Sequence, residues 1–194
     1  MGITSTLHQE LPLRIPAIPT STTDQALVPL YTAVKASLGM VPNLMQVAGN
    51  SPAALSGYLG LNAALAQGRL PAAVRERIAL AIAQDNSCDY CLAAHTLLGK
   101  YAGLDAQETQ RARLGTASDP HAAAAVSLAK AINRTPGRID DQTLVEARRA
   151  GLDDAAIIET IAHVALNVLT NSINNVAQTT VDFPAAPALA AASA

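Results

Sequence analysis

The sequence predicts an all-α domain of about seven to eight helices, and three observations support this fold class. Good helix formers such as Ala, Leu, Gln, Glu and Arg dominate the central part of the chain. No segment of useful length alternates between apolar and polar residues with the period of two that a strand requires. Pro and Gly stand where helices would begin and end. The 194 residues are therefore predicted to form one helical domain with extensions at both ends.

The expected helices follow one another through short connections. Their predicted spans are 24–37, 52–66, 71–84, 88–102, 106–113, 119–133, 141–150 and 154–178. Pro52 fits the first turn of the second helix, where its missing N–H costs nothing. Gly103 and Gly151 fit helix ends, since glycine readily adopts the left-handed conformation that ends many helices. Asp153 is expected to cap the last and longest helix.

The composition of the chain changes towards both ends. Residues 1–22 are rich in Pro, Ser and Thr and are expected to form an extended N-terminal arm. Residues 185–194, "AAPALAAASA", form a low-complexity tail. Residues 23–184, which lie between these two segments, are predicted to form the helical domain.

The chain carries little charge for its size. Half of its residues are hydrophobic and only 14% are charged, against a usual share of about a quarter. Some apolar surface is therefore expected to be buried between subunits of a homo-oligomer. The net charge of −2 gives no indication of nucleic-acid or anionic-membrane partners. No run of about 20 apolar residues that could cross a bilayer is apparent, and no apolar run follows a basic start, so a cytoplasmic location is expected.

Both cysteines of the chain lie in "DNSCDYCLAAHTLLG", residues 85–99. On a helix, Cys88, Cys91 and His95 fall within about 60° of one another. Asn86 or Ser87 is expected to cap this helix, which would place Cys88 in the first turn, where free amides and the helix dipole stabilise a thiolate. A thiolate attacks peroxides and disulfides, the second thiol can then close a disulfide, and His95 can take a proton.

Other roles for this cluster are possible. Cys88, Cys91 and His95 could bind a metal, although a zinc site usually has four ligands and no second cysteine cluster exists. A structural disulfide across three residues would close a small loop and stabilise little, and buried cysteines can also be simple core residues. Redox chemistry is therefore favoured. Gly-rich nucleotide and phosphate fingerprints are absent, so no cofactor is expected.

Glu76 stands in a segment, residues 71–84, that is apolar nearly all round. A carboxylate in such a patch is desolvated and needs a partner, which fits a role in proton transfer. The other interpretation is an exposed Glu76 that pairs with Arg75, Arg77 or an arginine of another helix.

The last helix carries a polar stripe formed by His163, Asn167, Asn171 and Asn174, which are spaced by four, four and three residues. They fall within about 80° of one another, and buried amides in such a row must be hydrogen-bonded. The stripe could be a seam between helices or subunits, or it could line a pocket near Cys91.

Taken together, Glu76, the CxxC that begins twelve residues later and His95 resemble the signature of the alkyl hydroperoxidase D-like (AhpD-like) group of the carboxymuconolactone decarboxylase superfamily. Residues 40–65, 87–96 and 162–184 resemble the peroxidase-related branch of that group. The resemblance extends over about residues 24–184.

The resemblance implies an all-helical, oligomeric protein, a trimer or a hexamer, with its active site between packed helices. The implied activity is the reduction of small alkyl hydroperoxides, with an unidentified thiol as the reductant. Cys91 resembles the cysteine that attacks the peroxide, and Cys88 resembles the resolving cysteine, although its position in the first turn would also suit a nucleophile. His95 and Glu76 resemble a proton relay.

The resemblance departs from the best-studied branch at Tyr90, where that branch has a histidine just before the second cysteine. Tyr90 can donate a hydrogen bond and is a possible pocket residue, but its ordinary pKa near 10 makes it a poor base at neutral pH. The true decarboxylases of the superfamily lack the cysteine pair, so its presence argues against lactone decarboxylation. Two alternatives remain open: a redox-sensing or binding oligomer without efficient turnover, and a metal-binding protein.

Overall fold

A computed structural model describes residues 14–189, and within that range the chain forms nine α-helices and no β-strand. The predicted all-α fold class is therefore confirmed. The helices are α1 (Val28–Leu38), α2 (Asn43–Ala48), α3 (Pro52–Ala66), α4 (Ala72–Asp85), α5 (Asp89–Tyr101), α6 (Ala106–Leu114), α7 (Pro120–Arg134), α8 (Asp141–Arg149) and α9 (Asp154–Ala177). Residues 1–13 of the predicted arm and residues 190–194 of the predicted tail lie outside the described range.

Two helix predictions were wrong at the start of the domain. Helix α1 begins at Val28 rather than at residue 24, because Pro29 fixes the first turn there. Helix α2 was not predicted at all. It has only six residues, and Pro42 precedes it without a side-chain capping bond, so the sequence gives no start signal.

The capping residues explain why other boundaries were predicted well. Asp153 accepts a hydrogen bond from the backbone N–H of Ala156 at 2.8 Å and caps α9, as expected. Gly103 and Gly151 follow the ends of α5 and α8 with φ angles of 90° and 94°, which only glycine adopts at little cost. Short polar caps and left-handed glycines are local signals, and these boundaries therefore follow from the sequence.

Helix α4 is the centre of the fold. It packs against α5, α6, α7 and α9, and six consecutive residues, Ile78 to Ala83, are buried. One core cluster on its flank joins α1, α2 and α5 and contains both cysteines. A second cluster joins α4 to α7 and α9. The CxxC motif, at the start of α5, thus lies within the first of these two clusters.

The described part of the N-terminal arm lies against α1 and α2 of its own chain. The N–H of Ile18 donates to the carbonyl of Gln46 at 2.9 Å, and the hydroxyl of Tyr31 donates to the carbonyl of Ile18 at 3.1 Å. Asn50 also donates to the carbonyl of Pro16. These bonds fasten residues 16–18 to the helical domain.

Helix α9 buries a polar stripe among its inward-facing residues and exposes an apolar stripe on the opposite face. The stripe of His163, Asn167, Asn171 and Asn174 is buried. The opposite face, about 180° away, exposes Ile158, Ile161, Leu169 and Val176. Among the described helices, α9 alone has the length and apolar composition that a membrane span would need, and half of its most apolar window is buried within the fold.

Candidate active site

The turn between α4 and α5 places the two cysteines. Ser87 adopts a left-handed conformation with φ of 50°. The N–H of Cys88 donates to the carbonyl of Ala83 at 2.9 Å, and the N–H of Ser87 donates to the carbonyl of Gln84 at 3.3 Å. This is the Schellman pattern that ends many helices, with Ser87 in the position that usually holds glycine. Helix α5 therefore starts immediately after α4 ends.

Cys88 is the N-cap of α5, and this corrects the predicted cap at Asn86 or Ser87. Its Sγ accepts a hydrogen bond from the backbone N–H of Cys91 at 3.3 Å, so the sulfur takes the place of the usual serine or aspartate oxygen. Cys88 thus lies one position before the first turn in which it was predicted. An electron-rich sulfur at this position faces the positive end of the α5 dipole.

Cys88 and Cys91 are joined as a disulfide, with their Cα atoms 5.3 Å apart. Cys88 is fully buried and Cys91 is 2% exposed. The pair is packed among apolar residues of the main core, including Leu44, Leu80 and Leu92. The two sulfurs are therefore close enough to interconvert between dithiol and disulfide inside the protein.

Glu76 and His95 form a close pair between α4 and α5. Glu76 Oε2 lies 2.8 Å from His95 Nδ1, and both side chains are about one-fifth exposed. An ionised carboxylate can only accept, so Nδ1 is the donor and a neutral His95 carries its lone pair on Nε2. Arg75 and Arg77, the alternative partners, bond elsewhere: Arg75 to the carbonyl of Leu70, and Arg77 to Glu108.

His95 follows Cys91 by one helical turn, a spacing that brings side chains about 5–6 Å apart at Cβ. Within residues 14–189, no hydrogen bond joins His95 to either sulfur. His95, which Glu76 on α4 holds, therefore lies one turn from the disulfide on α5, with its free Nε2 as the proton acceptor of the pair.

The Glu76–His95 pair faces a small cavity of about 50 Å³ between α3, α4, α5 and α9. The lining is largely polar and consists of Tyr58, Asn62, Arg75, Glu76, Ala79, His95, His163, Leu166, Asn167 and Thr170. Such a volume admits one or two water-sized groups. The cavity can hold the polar head of a small molecule beside the Glu76 carboxylate.

His163 is a neutral polar group on the wall of this cavity. Burial lowers its pKa to about 4, and the positive charge of Arg75 acts in the same direction, while Glu159 and Glu76 act against both. Its Nε2 has no hydrogen-bond partner within the described chain. On the facing helix, burial and the nearby Glu76 raise the pKa of Tyr58 to about 12, so its phenol stays protonated. Both side chains can bind a ligand without changing charge.

The structure divides the polar stripe of α9 between two places. His163 and Asn167 line the cavity. Asn171 accepts a hydrogen bond from the side chain of Asn86 at 3.0 Å, and Asn174 donates to the sulfur of Cys91 at 3.3 Å. The lower half of the stripe therefore contacts the CxxC turn rather than the cavity.

Tyr90, which lies between the cysteines, is also outside the cavity. Its hydroxyl donates to Asp182 at 2.7 Å and accepts from the backbone N–H of Leu44 at 3.1 Å. Burial is the largest cause that raises the pKa of Tyr90 above its ordinary value, and the Asp182 charge adds to it. Tyr90 therefore stays protonated and joins the start of α5 to α2 and to the C-terminal segment.

Several residues of this region were not predicted as site residues, and Arg75 was considered only as a partner of Glu76. Tyr58, Asn62 and Arg75 line the cavity; Tyr58 and Asn62 lie on α3, four residues apart on one face, a spacing that could have been noticed. Asp182 accepts hydrogen bonds from Tyr90 and from the N–H of Asn43. No spacing rule connects residues so distant in sequence.

The three side chains considered as metal ligands have other partners in this structure. The two sulfurs are bonded to each other, and Nδ1 of His95 is held by Glu76. No group of three or more His, Cys, Asp or Glu side chains within residues 14–189 is arranged to bind a metal ion.

Comparisons with known proteins support the resemblance. Residues 52–134 match the model of the carboxymuconolactone decarboxylase family, and this segment contains Glu76, Cys88, Cys91 and His95. An uncharacterized protein of Cupriavidus necator is 50% identical over 46 residues, which are 23% of this chain and 41% of that protein. The match thus spans less than half of that relative.

Solved structures with the same fold include a peroxidase-related protein from Silicibacter sp. TM1040, with a TM-score of 0.73 and 18% identity over 91% of this chain and 95% of that one. The alkylhydroperoxidase AhpD core of a peroxidase-related protein from Ralstonia eutropha JMP134 has a TM-score of 0.78 and 20% identity, over 89% and 94% of the two chains.

The debrominase Bmp8, crystallised as a variant in complex with 2,3,4-tribromopyrrole, has a TM-score of 0.72 and 20% identity, over 86% and 90% of the two chains. One fold therefore serves proteins with different names, and the reaction must be argued from the site. Residues 52–134, less than half of the chain, match the model of the carboxymuconolactone decarboxylase family, and the described chain has the same fold as the solved peroxidase-related protein and AhpD core named above.

Proposed function

We propose that this protein is a cytoplasmic CxxC-dependent thiol peroxidase that reduces small hydroperoxides and is restored by a separate thiol donor. The observation that carries the proposal is the juxtaposition of two elements on α5. A Cys88–Cys91 disulfide caps the helix, and a Glu76–His95 pair lies one turn further on. A thiol pair supplies two electrons, and the carboxylate–imidazole pair supplies and removes protons.

The proposed reaction balances two electrons. His95 first takes the proton of the Cys91 thiol on Nε2. The Cys91 thiolate attacks the terminal oxygen of the hydroperoxide, the O–O bond breaks, and the alkoxide takes that proton back from His95 to leave as an alcohol. The Cys88 sulfur then attacks the sulfur of the Cys91 sulfenic acid, and the S–O bond breaks as the disulfide forms. The leaving hydroxide takes the proton that the Cys88 thiol has given up and departs as water. Two equivalents of a thiol, or one dithiol, reduce the disulfide again.

The cavity limits the substrates that fit this proposal. Its polar lining and its volume of about 50 Å³ suit a peroxy group with a short substituent better than a long alkyl chain. Tyr58 and Asn62 line the cavity and can donate hydrogen bonds to a peroxide that enters it; neither cysteine is among the lining residues, so the peroxide must pass from the cavity to Cys91 to react. Hydrogen peroxide and small alkyl hydroperoxides are therefore the expected class.

The test is the mass of the reduced protein after one equivalent of peroxide, followed by denaturation and thiol alkylation. The expected product carries no alkyl group and has lost two hydrogens, which indicates the Cys88–Cys91 disulfide. Retention of two alkylated thiols, with no sulfinate, would contradict the proposal. Oxidation by 2,3,4-tribromopyrrole but not by peroxide would assign the thiols to dehalogenation instead. Repeated turnover with excess thiol separates an enzyme from a redox sensor.

We also propose that the functional unit is a homo-oligomer, a trimer or a hexamer. The outward stripe of α9 supports this, since Ile158 is 64% exposed and Ile161, Leu169 and Val176 continue it along the helix. Light scattering should give a multiple of the 19.9 kDa chain mass. Leu169→Glu should lower that mass, whereas Tyr101→Glu, at an exposed site on α5, should not. A wild-type mass near that of one chain at micromolar concentration would rule the oligomer out.

A further inference from the structure

Asn174 is in direct contact with a sulfur of the disulfide. It lies on α9 with 3% of its surface exposed, and its Nδ2 is 3.3 Å from Sγ of Cys91. A sulfur in a disulfide carries no hydrogen and can only accept, so the amide is the donor. The bond links helices α9 and α5 through the atom that reacts.

The other end of the same amide has no partner. Oδ1 of Asn174 is buried and accepts no hydrogen bond within the described part of the chain. A half-satisfied buried amide is unfavourable for folding, and an apolar side chain of similar size would serve packing as well. The benefit of an amide at this position therefore lies in what its N–H groups do for the sulfur.

The two sulfurs accept hydrogen bonds from different kinds of donor, one from the backbone and one from a side chain. Sγ of Cys88 accepts from the backbone N–H of Cys91, a bond that any N-cap side chain makes. Sγ of Cys91 accepts from a side chain that the sequence supplies at a distance of 83 residues. The donor to Cys91 can therefore be removed by substitution while the helix cap stays in place.

We propose that Asn174 is a catalytic residue that stabilises the thiolate of Cys91 through the hydrogen bond from its side-chain amide. This inference rests on the proposed function only in that Cys91 must ionise to react. The bond strengthens when the sulfur gains charge, since hydrogen bonds to charged acceptors are stronger than those to neutral ones. When a thiol donor forms a bond to Cys88 and the S–S bond breaks, Cys91 leaves with the electron pair and Asn174 holds the resulting thiolate.

The test measures the ionisation of Cys91 in Cys88→Ser protein, where serine keeps the N-cap and leaves a single thiol. Thiolate absorbance at 240 nm is followed against pH, because a buried thiol need not be reached by a reagent. Asn174→Leu should raise the midpoint by about one to two pH units, the effect of losing one charge-assisted hydrogen bond. Asn175→Leu is the matched control: its amide donates to the carbonyl of Asn86 rather than to sulfur, and its midpoint should not change.

An unchanged midpoint in folded Asn174→Leu protein would overturn the inference. If that variant does not fold, the Asn174 side-chain amide resonances of the Cys88→Ser protein decide: they should move with the Cys91 midpoint, and resonances insensitive to it would overturn the inference. The absorbance experiment uses no peroxide. Wild-type protein could fail to form its disulfide with peroxide while Asn174→Leu still shifts the Cys91 midpoint in the Cys88→Ser protein. That pair of results would refute the peroxidase proposal and support the role of Asn174.

Discussion

Acidification from pH 6.5 to 4 should lower the free energy of unfolding by about 3 kcal/mol through His163 alone. The unfolded chain takes up a proton on this histidine below its ordinary pKa near 6.5. The folded protein does not take up the proton until pH reaches about 4, because the side chain is buried and faces the positive charge of Arg75. The stability is therefore complete above pH 6.5 and is lost as the pH falls towards 4.

Urea unfolding followed by circular dichroism at pH 7.0, 5.5 and 4.5 measures this loss, at one fixed protomer concentration. His163→Gln should flatten the dependence in that window, even if it lowers stability at pH 7. His121→Gln, on α7, should keep the full loss. Equal slopes in wild type and His163→Gln would show that the histidine is charged or solvated in the folded protein, contrary to the structure.

Replacing His95 with Gln should slow peroxide-driven disulfide formation roughly hundredfold, the lower end of general acid–base contributions. It should also slow Cys91 alkylation near neutral pH by about tenfold, since the proton acceptor is lost. Glu76→Gln should slow the same steps, because Glu76 holds Nδ1 of His95 at 2.8 Å and so fixes its tautomer. Helix content and oligomeric state should not change.

The double variant, Glu76→Gln with His95→Gln, tests the proton relay most directly. Members of one relay act as a unit, so the combined loss should be close to the larger single loss and not to the product of the two. Glu108→Gln is the control, since its carboxylate pairs with Arg77 away from the cavity. The rates of disulfide formation and of Cys91 alkylation are measured from pH 5 to 10. Each reaction is stopped at set times and its products are quantified by mass spectrometry. Profiles that match wild type in both single variants would make the pair structural and the mechanism wrong.

The fold class and most helix boundaries could be predicted because their signals are local. An aspartate cap such as Asp153, or a left-handed glycine such as Gly151, acts within a few residues of its own helix end. Helix α2 has neither a polar cap nor a useful length, and its position follows from contacts with Tyr90 and Asp182. Such contacts over long sequence distances have no counterpart in periodicity.

The polar stripe of α9 shows that periodicity also fails to predict long-range contacts at the candidate site. Helical spacing predicts that His163, Asn167, Asn171 and Asn174 share one face, and all four are buried. Between His163 and Asn174 the helix rises by about 16 Å, which is more than one small cavity spans. Periodicity gives the direction of each side chain but not the partner at each height, so the division between cavity and thiols could not be foreseen.

The contacts of Asp182 join the CxxC region to a segment that is synthesised much later. It bonds to Tyr90 between the two cysteines and to the start of α2, and the neighbouring Phe183 packs edge-on against Tyr90 with ring centroids 5.6 Å apart. A ribosome synthesises these residues about 90 positions after the CxxC motif, so the motif is made long before the residues that hold Tyr90 in place. The contacts that join the start of α5 to the C-terminal segment can therefore form only late in folding.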